Sequence, residues 1–460
     1  MPDLRPFHAL RYTDAAGEPA DLLAPPYDVI EPGRAGRLRE RSPFNAVRLV
    51  LPTGEGPYRR AGSRLRDWRA DGLLRREEEP SLRIYAQSFE HRGREMTRYG
   101  LFAALRLTEF AAGEVVPHEE THREPKEDRL RLTEACDAQL SPVFLVAPDP
   151  ADRIPALAER AVQGTPELDA RTPDGVRHRL WRVPPGPLAE ELCEAAGQAP
   201  ALIADGHHRY ETALAVRRRR PADPSAAWTL ACVVSRSDPG LLCLPTHRAL
   251  SRAPDRPGGP SPAGGFVGDG EAGSAGRVQG GGAGAAAGAW RGLLEDSFEV
   301  RSAGLDRNEP DAAARRAAEE GGGALVAVPP EGPCLRLRAL RRAREAAALE
   351  PHLSDVPPAV FDRLVLRPGF DRGPDAAVEE GLLSYHRDAR DAVEAAGEAG
   401  AAFLLPPLPV DRVLELARSG IRLPPKSTYF WPKLPSGLVF RTLGSRTRPD
   451  AEEEDPQLPE

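Results

Sequence analysis

The chain has 460 residues, more than a single domain usually holds, so we expect two core-forming units and room for a small third one. Its 62 basic and 69 acidic residues give a net charge of -7 at pH 7, which excludes a global positive field for nucleic acid. Five scattered cysteines without a CxxC pair predict neither a disulfide framework nor structural zinc. No signal peptide and no run of 18 apolar residues is present, so we expect a cytoplasmic protein without membrane contacts.

The N-terminal half alternates irregularly between predicted strands and helices. The apolar run 46–51 predicts a buried strand, and apolar residues at helical spacing predict a helix over 58–74. Two alternating runs, 82–89 and 99–107, predict a β-hairpin. The other elements are predicted as helices at 126–135, 155–161 and 188–196, a strand at 143–146, and a strand at 200–204 that leads to a helix at 210–217.

The composition changes after the first 250 residues, and this change defines the predicted domains. Residues 253–289 are rich in glycine, proline and alanine and almost free of large apolar residues, which predicts a flexible linker or disordered loop. We therefore predict a phosphate- or nucleotide-binding unit over 1–252, an α/β unit over 290–447 and an acidic tail over 448–460. The predicted fold class is α/β with mixed sheets.

The strongest chemical motif is Asp205-Gly206-His207-His208-Arg209, where a predicted strand runs into a helix. Such a glycine turn presents backbone N–H groups and the positive end of the helix dipole to an anion, and phosphate is the natural ligand. Arg209 adds a planar fork for two phosphate oxygens, and the histidines can donate hydrogen bonds or move a proton. Asp205 could bind Mg²⁺ or orient a histidine. In the structural alternative, His207 and His208 only cap and pack the helix.

A second polar set lies at a strand end and the start of the next helix: His118, Glu119, Glu120, Thr121, Lys126, Asp128 and Arg129. Glu119 is the predicted general base with Glu120 as second choice, and His118 is a further catalytic candidate. Lys126 or Arg129 would neutralise phosphoryl charge. A solvated helix end held by charge pairs explains the same residues equally well. His118 and His122 have the i, i+4 spacing of two zinc ligands on a helix. The polar residues between them and Pro125 argue against a helix there, so a zinc site is not favoured.

Two further clusters complete the predicted site. Lys426 and Lys433 flank an aromatic run, 429–431, so lysines could reach phosphate and aromatic rings a base, although a buried aromatic strand is the structural alternative. The residues predicted to line the cleft are Thr121, Asp128, Thr246, His247, Arg248, Ser427 and Tyr429. Tyr27, Asp28 and Asn45 are weaker candidates.

Five segments, in this order, resemble a bacterial and archaeal family of unknown function numbered 1015 and loosely labelled SpoOJ/ParA/ParB/RepB-like: 24–30, 118–121 with 125–129, 204–210, 244–248 and 424–430. The glycine-rich stretch departs from the family pattern. The motif 205–209 also resembles the phosphate-contacting motif of the ParB/sulfiredoxin superfamily, whose free-serine kinases carry the same five residues. The resemblance implies a ParB/sulfiredoxin-like N-terminal unit and a phosphotransferase with a separate glutamate as base, for which Glu119 is a conjecture and not a motif match.

The leading hypothesis is a small-molecule kinase that transfers a phosphoryl group from ATP, ADP or pyrophosphate, with Mg²⁺, to a small hydroxylated acceptor such as free serine. We expect small-molecule and nucleotide partners, and neither nucleic acid nor haem or flavin; the oligomeric state is not predicted. One alternative is a nucleotide-binding switch or ParB-like DNA-partition protein, although no helix-turn-helix signature is evident. Another is a metal-dependent phosphoesterase that uses four histidines: His118, His207, His208 and His247.

Overall fold

A computed structural model describes residues 1–119, 123–255 and 283–444. The chain forms two compact units: unit 1 comprises Met1–Val116, Thr121–Leu241 and Pro432–Glu460, and unit 2 comprises Pro117–Glu120 and Leu242–Trp431. This division differs from the predicted one, because the chain enters unit 2 twice and returns to unit 1 near its C-terminus. Local composition cannot show such a return, since the pairing of distant strands leaves no mark on it.

The strands of the described residues are β1 (Leu4–Arg5), β2 (Ala9–Tyr12), β3 (Leu74–Arg76), β4 (Leu82–His91), β5 (Arg94–Arg106), β6 (Val115–Val116), β7 (Ala138–Gln139), β8 (Val143–Ala147), β9 (Leu168–Arg171), β10 (Arg177–Val183), β11 (Ala201–Asp205), β12 (Trp228–Ser235), β13 (Leu242–Leu244), β14 (His247–Leu250), β15 (Phe298–Ser302), β16 (Leu325–Val328), β17 (Leu335–Ala339), β18 (Leu383–His386), β19 (Ala401–Leu404), β20 (Tyr429–Trp431) and β21 (Phe440–Thr442).

The α-helices of the same residues are α1 (Pro19–Leu22), α2 (Pro32–Arg41), α3 (Val47–Val50), α4 (Pro57–Ala70), α5 (Arg123–Cys136), α6 (Arg153–Ala161), α7 (Pro187–Gly197), α8 (His207–Arg219), α9 (Ala283–Ser297), α10 (Pro310–Glu320), α11 (Arg341–Ala346), α12 (Pro357–Phe361), α13 (Arg367–Phe370), α14 (Pro374–Glu379), α15 (Ala389–Ala396) and α16 (Val410–Arg418).

Unit 1 is built on a mixed nine-stranded sheet with the order β6-β11-β8-β12-β5-β4-β10-β9, in which β1 also pairs with β5. The predicted hairpin is confirmed, since β4 and β5 pair antiparallel from Arg83 opposite Phe102 to His91 opposite Arg94. The strand β11 runs parallel to β6 and antiparallel to β8. It is buried in the sheet, so its C-terminal end delivers Asp205 to a fixed place in unit 1. The predicted α/β class is confirmed.

A second sheet of unit 1 includes residues from near both ends of the chain. Its order is β3-β2-β21-β7, so β21 pairs with β2 on one side and with β7 on the other. Phe440 of β21 is fully buried in a core with Leu65 and Trp68 of α4. The C-terminal strand is therefore part of the unit 1 core.

Unit 2 has an antiparallel six-stranded sheet with the order β15-β17-β16-β19-β14-β18, and a separate pair, β13-β20. Small buried side chains of α10 and α15, such as Ala313 and Ala392, join the sheet residues Val326 and Leu404 in its core. The pair β13-β20 holds the aromatic run Tyr429–Trp431 against Leu242–Leu244.

Two sequence predictions change in the structure. The strand predicted at 46–51 is wrong, because Val47–Val50 form helix α3; the Asn45 side chain accepts from the Val47 N–H at 2.9 Å and starts the helical turn. A short apolar run cannot distinguish a buried strand from a buried helix. Of the predicted linker, residues 256–282 lie outside the described residues, and residues 283–289 belong to α9. No helix among the described residues is long and apolar enough to span a bilayer.

Candidate functional site

The strand β11 ends in a tight turn that begins α8. Gly206 at this turn has φ +91° and ψ +34°, in the left-handed region that favours glycine. A Cβ at Gly206 would lie 2.7 Å from Nε of Arg209, so glycine is required for space as well. As the N-cap residue, Gly206 has no side chain that could accept from the N–H groups of the first helical turn. The positive end of α8 therefore lies directly after Asp205.

The Asp205 carboxylate is paired through both of its oxygens. Oδ2 accepts from Nη2 of Arg209, one helical turn later, and Oδ1 accepts from the ammonium of Lys433. The three side chains are 11%, 11% and 12% exposed, in the order Asp205, Arg209 and Lys433. Arg209 also donates from Nη1 to the carbonyl of Pro142. The structure thus brings together three residues predicted for phosphate binding, all within unit 1.

One carboxylate faces two cations at this turn, so the local charge is positive. Burial alone would raise the pKa of Asp205. The charges of Lys433 and Arg209 outweigh burial and hold this pKa well below its ordinary value. Asp205 is therefore ionised at neutral pH and cancels one of the two positive charges. The N-terminal end of α8 adds about half a positive charge, and the turn is an environment that favours an anion.

The two histidines after Gly206 have different surroundings. His207 is buried with 8% of its surface exposed, whereas His208 is half-buried. The next residue but one, Tyr210, is fully buried, and its hydroxyl donates to the carbonyl of Thr108 at 2.8 Å and accepts from its N–H at 3.1 Å. The first turn of α8 is therefore held in the core of unit 1, which fixes the direction of its N-terminus.

Tyr27, a weaker sequence candidate, lies near the same turn. The guanidinium of Arg129 lies 4.0 Å from the centre of its ring. Burial and then Asp28 raise the pKa of Tyr27 to about 12, against opposing effects of Arg129 and Arg209. Tyr27 therefore keeps its phenolic proton at physiological pH and can act as a hydrogen-bond donor.

Two buried residues that the sequence analysis missed hold the segment of Lys433. Arg98 of β5, 1% exposed, donates to the Gln87 side chain of β4 and to the carbonyl of Pro432. Gln87 in turn donates from Nε2 to the carbonyl of Lys433 at 3.0 Å. These bonds fix the backbone that carries the Lys433 ammonium. No sequence signal marked them, because polar residues in an alternating strand are expected to face solvent.

The predicted phosphate ligands of α5 have partners of their own in unit 1. The ammonium of Lys126 lies 2.7 Å from Oε2 of Glu211 on α8. Arg129 is buried and donates from Nε to Asp128 at 2.6 Å and from Nη1 to a carbonyl of α3 at 2.6 Å. Asp128 also accepts from the hydroxyl of Tyr58 at 2.8 Å. These contacts agree with the structural alternative of a helix held by charge pairs.

His118 and Glu119 belong to unit 2, where they contact the segment that follows Leu423. Nε2 of the buried His118 lies 2.7 Å from Oγ1 of Thr428, and Thr428 donates to Oε1 of Glu119 at 3.4 Å. The Leu423 N–H donates to the carbonyl of His118 at 2.8 Å, which fixes the backbone of this segment. The Glu119 side chain remains 20% exposed. A carboxylate with one oriented oxygen and access to solvent suits proton transfer.

Other predicted cleft residues of unit 2 have mainly structural contacts. Arg248 is buried, donates to the carbonyls of Thr246 and Lys426, and lies over the ring of Tyr385. Burial lowers its pKa to about 10, so it stays charged at neutral pH. The His247 Nδ1 accepts from a backbone N–H of unit 2 at 3.2 Å, and burial lowers the pKa of His247 to about 4, which keeps the ring neutral.

The remaining predicted residues divide into two groups. The Ser427 hydroxyl donates to the carbonyl of Pro424 at 2.5 Å, and Tyr429 lies in β20 with the guanidinium of Arg387 4.1 Å from its ring centre. Thr121 and its neighbours Glu120 and His122 lie outside the described residues.

A family model of proteins of unknown function, DUF1015, matches residues 4–257, more than half of the chain. The chain belongs to the DUF1015 family. Four of the five segments that carried the resemblance lie within this match, and 424–430 follows it. None of the curated proteins matches the chain.

Solved structures similar to this DUF1015 chain have low sequence identity to it. A free serine kinase variant in complex with ADP is 13% identical with a TM-score of 0.35, over 72% of this chain and 87% of that one. A conserved hypothetical protein from Pyrococcus furiosus is 14% identical with a TM-score of 0.33, over 73% of this chain and 93% of that protein. SbnI with a C-terminal truncation, from Staphylococcus aureus, is 11% identical with a TM-score of 0.32, over 74% and 81%. The function is therefore inferred from this chain's own residues.

Lys433, which the sequence already indicated as a phosphate ligand, also belongs to a residue type that is rare in this DUF1015 chain. Of its 62 basic residues only three are lysines: Lys126, Lys426 and Lys433. All three lie in or just beyond the segments that resemble the family. A lysine ammonium is a compact charge that differs from arginine in geometry and hydration, so the three lysines are not equivalent to the arginines around them.

The Asp205 carboxylate does not fit the predicted role of Mg²⁺ ligand. Both of its oxygens already accept from cations, and Arg209 and Lys433 would repel a divalent cation placed beside them. In the ranges that the structure describes, no group of three or more His, Cys, Asp or Glu side chains is arranged to hold a metal ion.

Proposed function

We propose that this chain binds the phosphate groups of a nucleotide or of pyrophosphate at the turn between β11 and α8, and that it transfers a phosphoryl group to a small hydroxylated acceptor such as a free amino acid. One observation carries the proposal: a single buried carboxylate, Asp205, shares its charge between Arg209 and Lys433 at the N-terminus of α8. Phosphate bound at this helix N-terminus would balance the remaining positive charge.

Arg209 and Lys433 have different roles in this proposal. Arg209 donates to both Asp205 and the carbonyl of Pro142, so it fixes the turn. Lys433 lies on a separate segment, held by Arg98 and Gln87, and carries the ammonium that we propose contacts phosphate. A positioned cation stabilises the charge that a phosphoryl group carries during transfer.

The test is isothermal titration of the full chain with ADP, ATP and pyrophosphate, each with and without Mg²⁺. We expect at least one ligand to bind, and Lys433→Gln to weaken its binding at least about tenfold, or 1.4 kcal/mol, because the cation is lost while Asp205 keeps Arg209. The control is Arg94→Gln, an exposed residue that follows the β-hairpin turn, for which affinity should not change. Equal affinity in Lys433→Gln would remove the turn as the binding site.

Glu119 is the proposed general base for the acceptor hydroxyl. Its support comes from its own surroundings in unit 2, where Thr428 orients one carboxylate oxygen and His118 hydrogen bonds to Thr428. A general base of this kind accepts the proton of the acceptor hydroxyl as the acceptor oxygen bonds to phosphorus, while the bond between phosphorus and the leaving oxygen of the donor breaks.

Glu119→Gln should lower turnover at least about 100-fold, because an amide of the same shape cannot accept the proton. Nucleotide affinity should stay within about twofold of the parent chain, since the phosphate-binding turn is unaltered. The measurement is formation of a phosphorylated amino acid from ATP or ADP, with serine as the first acceptor. Glu90→Gln, a change at an exposed position of β4, is the control. Unchanged turnover in Glu119→Gln would end the proposed role of this residue.

A further inference from the structure

Unit 1 contains a cavity of about 1470 Å³ that is lined by seven arginines and two acidic residues. The chain as a whole carries a net charge of -7, so the cavity is opposite in sign to the rest of the protein. The arginines come from segments far apart in the sequence: Arg5 of β1, Arg59, Arg66 and Arg69 of α4, Arg76 of β3, Arg220 after α8, and Arg441 of β21. None of the lining residues belongs to the turn between β11 and α8.

Both acidic residues of the cavity already have basic partners. Asp137 pairs with Arg220, and Glu134 pairs at 3.0 Å with Arg219, which is not part of the lining. In the described part of the chain, no carboxylate oxygen lies within 4.0 Å of the four arginines of α4 and β3 that line the cavity. Most of the positive charge of the cavity is therefore not balanced by the protein.

The three arginines of α4 form one row on the helix. Arg59, Arg66 and Arg69 are separated by seven and three residues, which places them on the same face of a helix. Ten residues of helix span about 15 Å. A smaller cavity of about 490 Å³ shares Arg66, Arg69 and Arg76 and also includes Arg75, so the basic surface extends beyond the larger cavity.

The helix that carries this row is held rigidly. A Cβ at Gly62 of α4 would lie 2.1 Å from the carbonyl oxygen of Ala135 in α5, so only glycine allows the two helix backbones to pack so closely. The buried residues Ala61, Leu65 and Trp68 place the opposite side of α4 in the core. The arginine row is therefore presented by a fixed helix.

At another part of the cavity, two arginines contact the same tryptophan, one through its ring and one through its backbone carbonyl. Arg5 lies 3.7 Å from the ring centre of Trp228, and the buried Arg441 donates to the carbonyl of Trp228 at 3.0 Å and to that of Ser225 at 2.8 Å. Burial, and then the charge of Arg5, lower the pKa of Arg441 to about 10. A bound anion would relieve the repulsion between the two guanidinium groups.

We propose that this cavity is a second anion site, which binds a small molecule that carries several phosphate groups. Several groups are required because the basic row alone spans about 15 Å, and one phosphate engages at most one or two arginine forks. A nucleic acid strand fits less well, since sequence-tolerant binding of single strands uses aromatic rings on which bases stack. Phe7 is the one phenylalanine, tyrosine or tryptophan among the lining residues described, and it is 4% exposed.

The test is titration of the full chain with inorganic tripolyphosphate at two salt concentrations. Because the turn at α8 is also proposed to bind phosphate groups, the comparison is made in the Lys433→Gln background. There, Arg66→Gln/Arg69→Gln should weaken binding at least about 30-fold and reduce its dependence on salt, because two charge-assisted contacts are lost. Both residues are exposed, so the fold should be unaffected, and far-UV circular dichroism verifies it. The matched control is Arg60→Gln/Arg94→Gln, which removes two exposed arginines outside the cavity lining and should leave affinity within about twofold.

Two further arms separate this site from the turn at α8 and fix the class of ligand. Lys433→Gln should leave the tripolyphosphate binding that depends on Arg66 and Arg69 intact. Loss of binding in Lys433→Gln together with unchanged binding in Arg66→Gln/Arg69→Gln would overturn the proposal. A ten-nucleotide single strand of thymidine that binds more tightly than tripolyphosphate, and is lost in the same double variant, would overturn the small-molecule assignment.

Discussion

Asp205→Asn should lower the free energy of unfolding by about 3 to 5 kcal/mol, because the change leaves two buried cations without their carboxylate. Asparagine has the same shape, so the loss reflects charge and not packing. The measurement is urea-induced unfolding at pH 7. The control is Asp169→Asn, whose ion pair with Arg177 at 2.6 Å is 39% and 43% exposed and should contribute at most about 1 kcal/mol. Similar losses in the two variants would contradict a buried charge network at Asp205.

The charge network at Asp205 also predicts how the stability difference between the parent chain and Asp205→Asn depends on pH. The pKa of Asp205 is lowered in the folded chain, so its stabilisation is fully present above the unfolded pKa of about 3.9 and is lost as the pH falls towards the folded value. The difference in unfolding free energy between the parent chain and Asp205→Asn should therefore be constant from about pH 5 to 8 and should shrink below about pH 4. A difference that grows on acidification would show that the carboxyl is protonated in the fold.

Gly206→Ala should cost about 2 to 4 kcal/mol of unfolding free energy, the sum of a left-handed alanine and of overpacking against the Arg209 guanidinium. Three guanidinium atoms lie within 3.0 Å of the added Cβ. They cannot move freely, because Arg209 is bound to Asp205 and to a carbonyl. Phosphate binding should fall with stability, since the displaced side chain fixes the turn.

Gly175→Ala is the matched control for this substitution. Gly175 has φ +83°, close to that of Gly206, but an added Cβ would meet no atom within 4 Å. Its cost should be about 1 to 2 kcal/mol, from the backbone conformation alone. Urea unfolding of both variants measures the difference between these losses of unfolding free energy. Equal losses would mean that the Arg209 side chain moves away from the added Cβ without an energetic cost.

Much of the fold and the main motif could be predicted where the signal is local. The helix α4, the β4-β5 hairpin and the step from β11 into α8 each follow from a periodicity or a turn residue within one short segment. The strand predicted at 46–51 was wrong, because a local signal this short does not distinguish a helix from a strand. The return of β21 to unit 1 depends on pairing with β2 and β7, far away in the sequence, and no local pattern contains it.

The site shows the same limit. Asp205 and Arg209 are four residues apart and could be associated from the sequence, whereas Arg98 and Gln87 act on Lys433 through contacts between distant strands. The basic cavity was invisible in the sequence because its arginines are spread from Arg5 to Arg441 among a larger number of acidic residues. The net charge is a property of the whole chain, whereas the fold determines where charges of one sign lie close together.

The return of the C-terminal segment to unit 1 also affects the order in which the protein can be completed on the ribosome. When Trp431 has been added, every residue of unit 2 exists, but unit 1 still lacks Lys433 and β21. At bacterial or eukaryotic synthesis rates, the inserted segment Leu242–Trp431 takes roughly 10 to 40 s to make. Throughout that time Asp205 is without its lysine and the sheet is without its last strand. The proposed phosphate-binding turn is thus completed only after the inserted segment has been synthesised, although its motif precedes that segment in the chain.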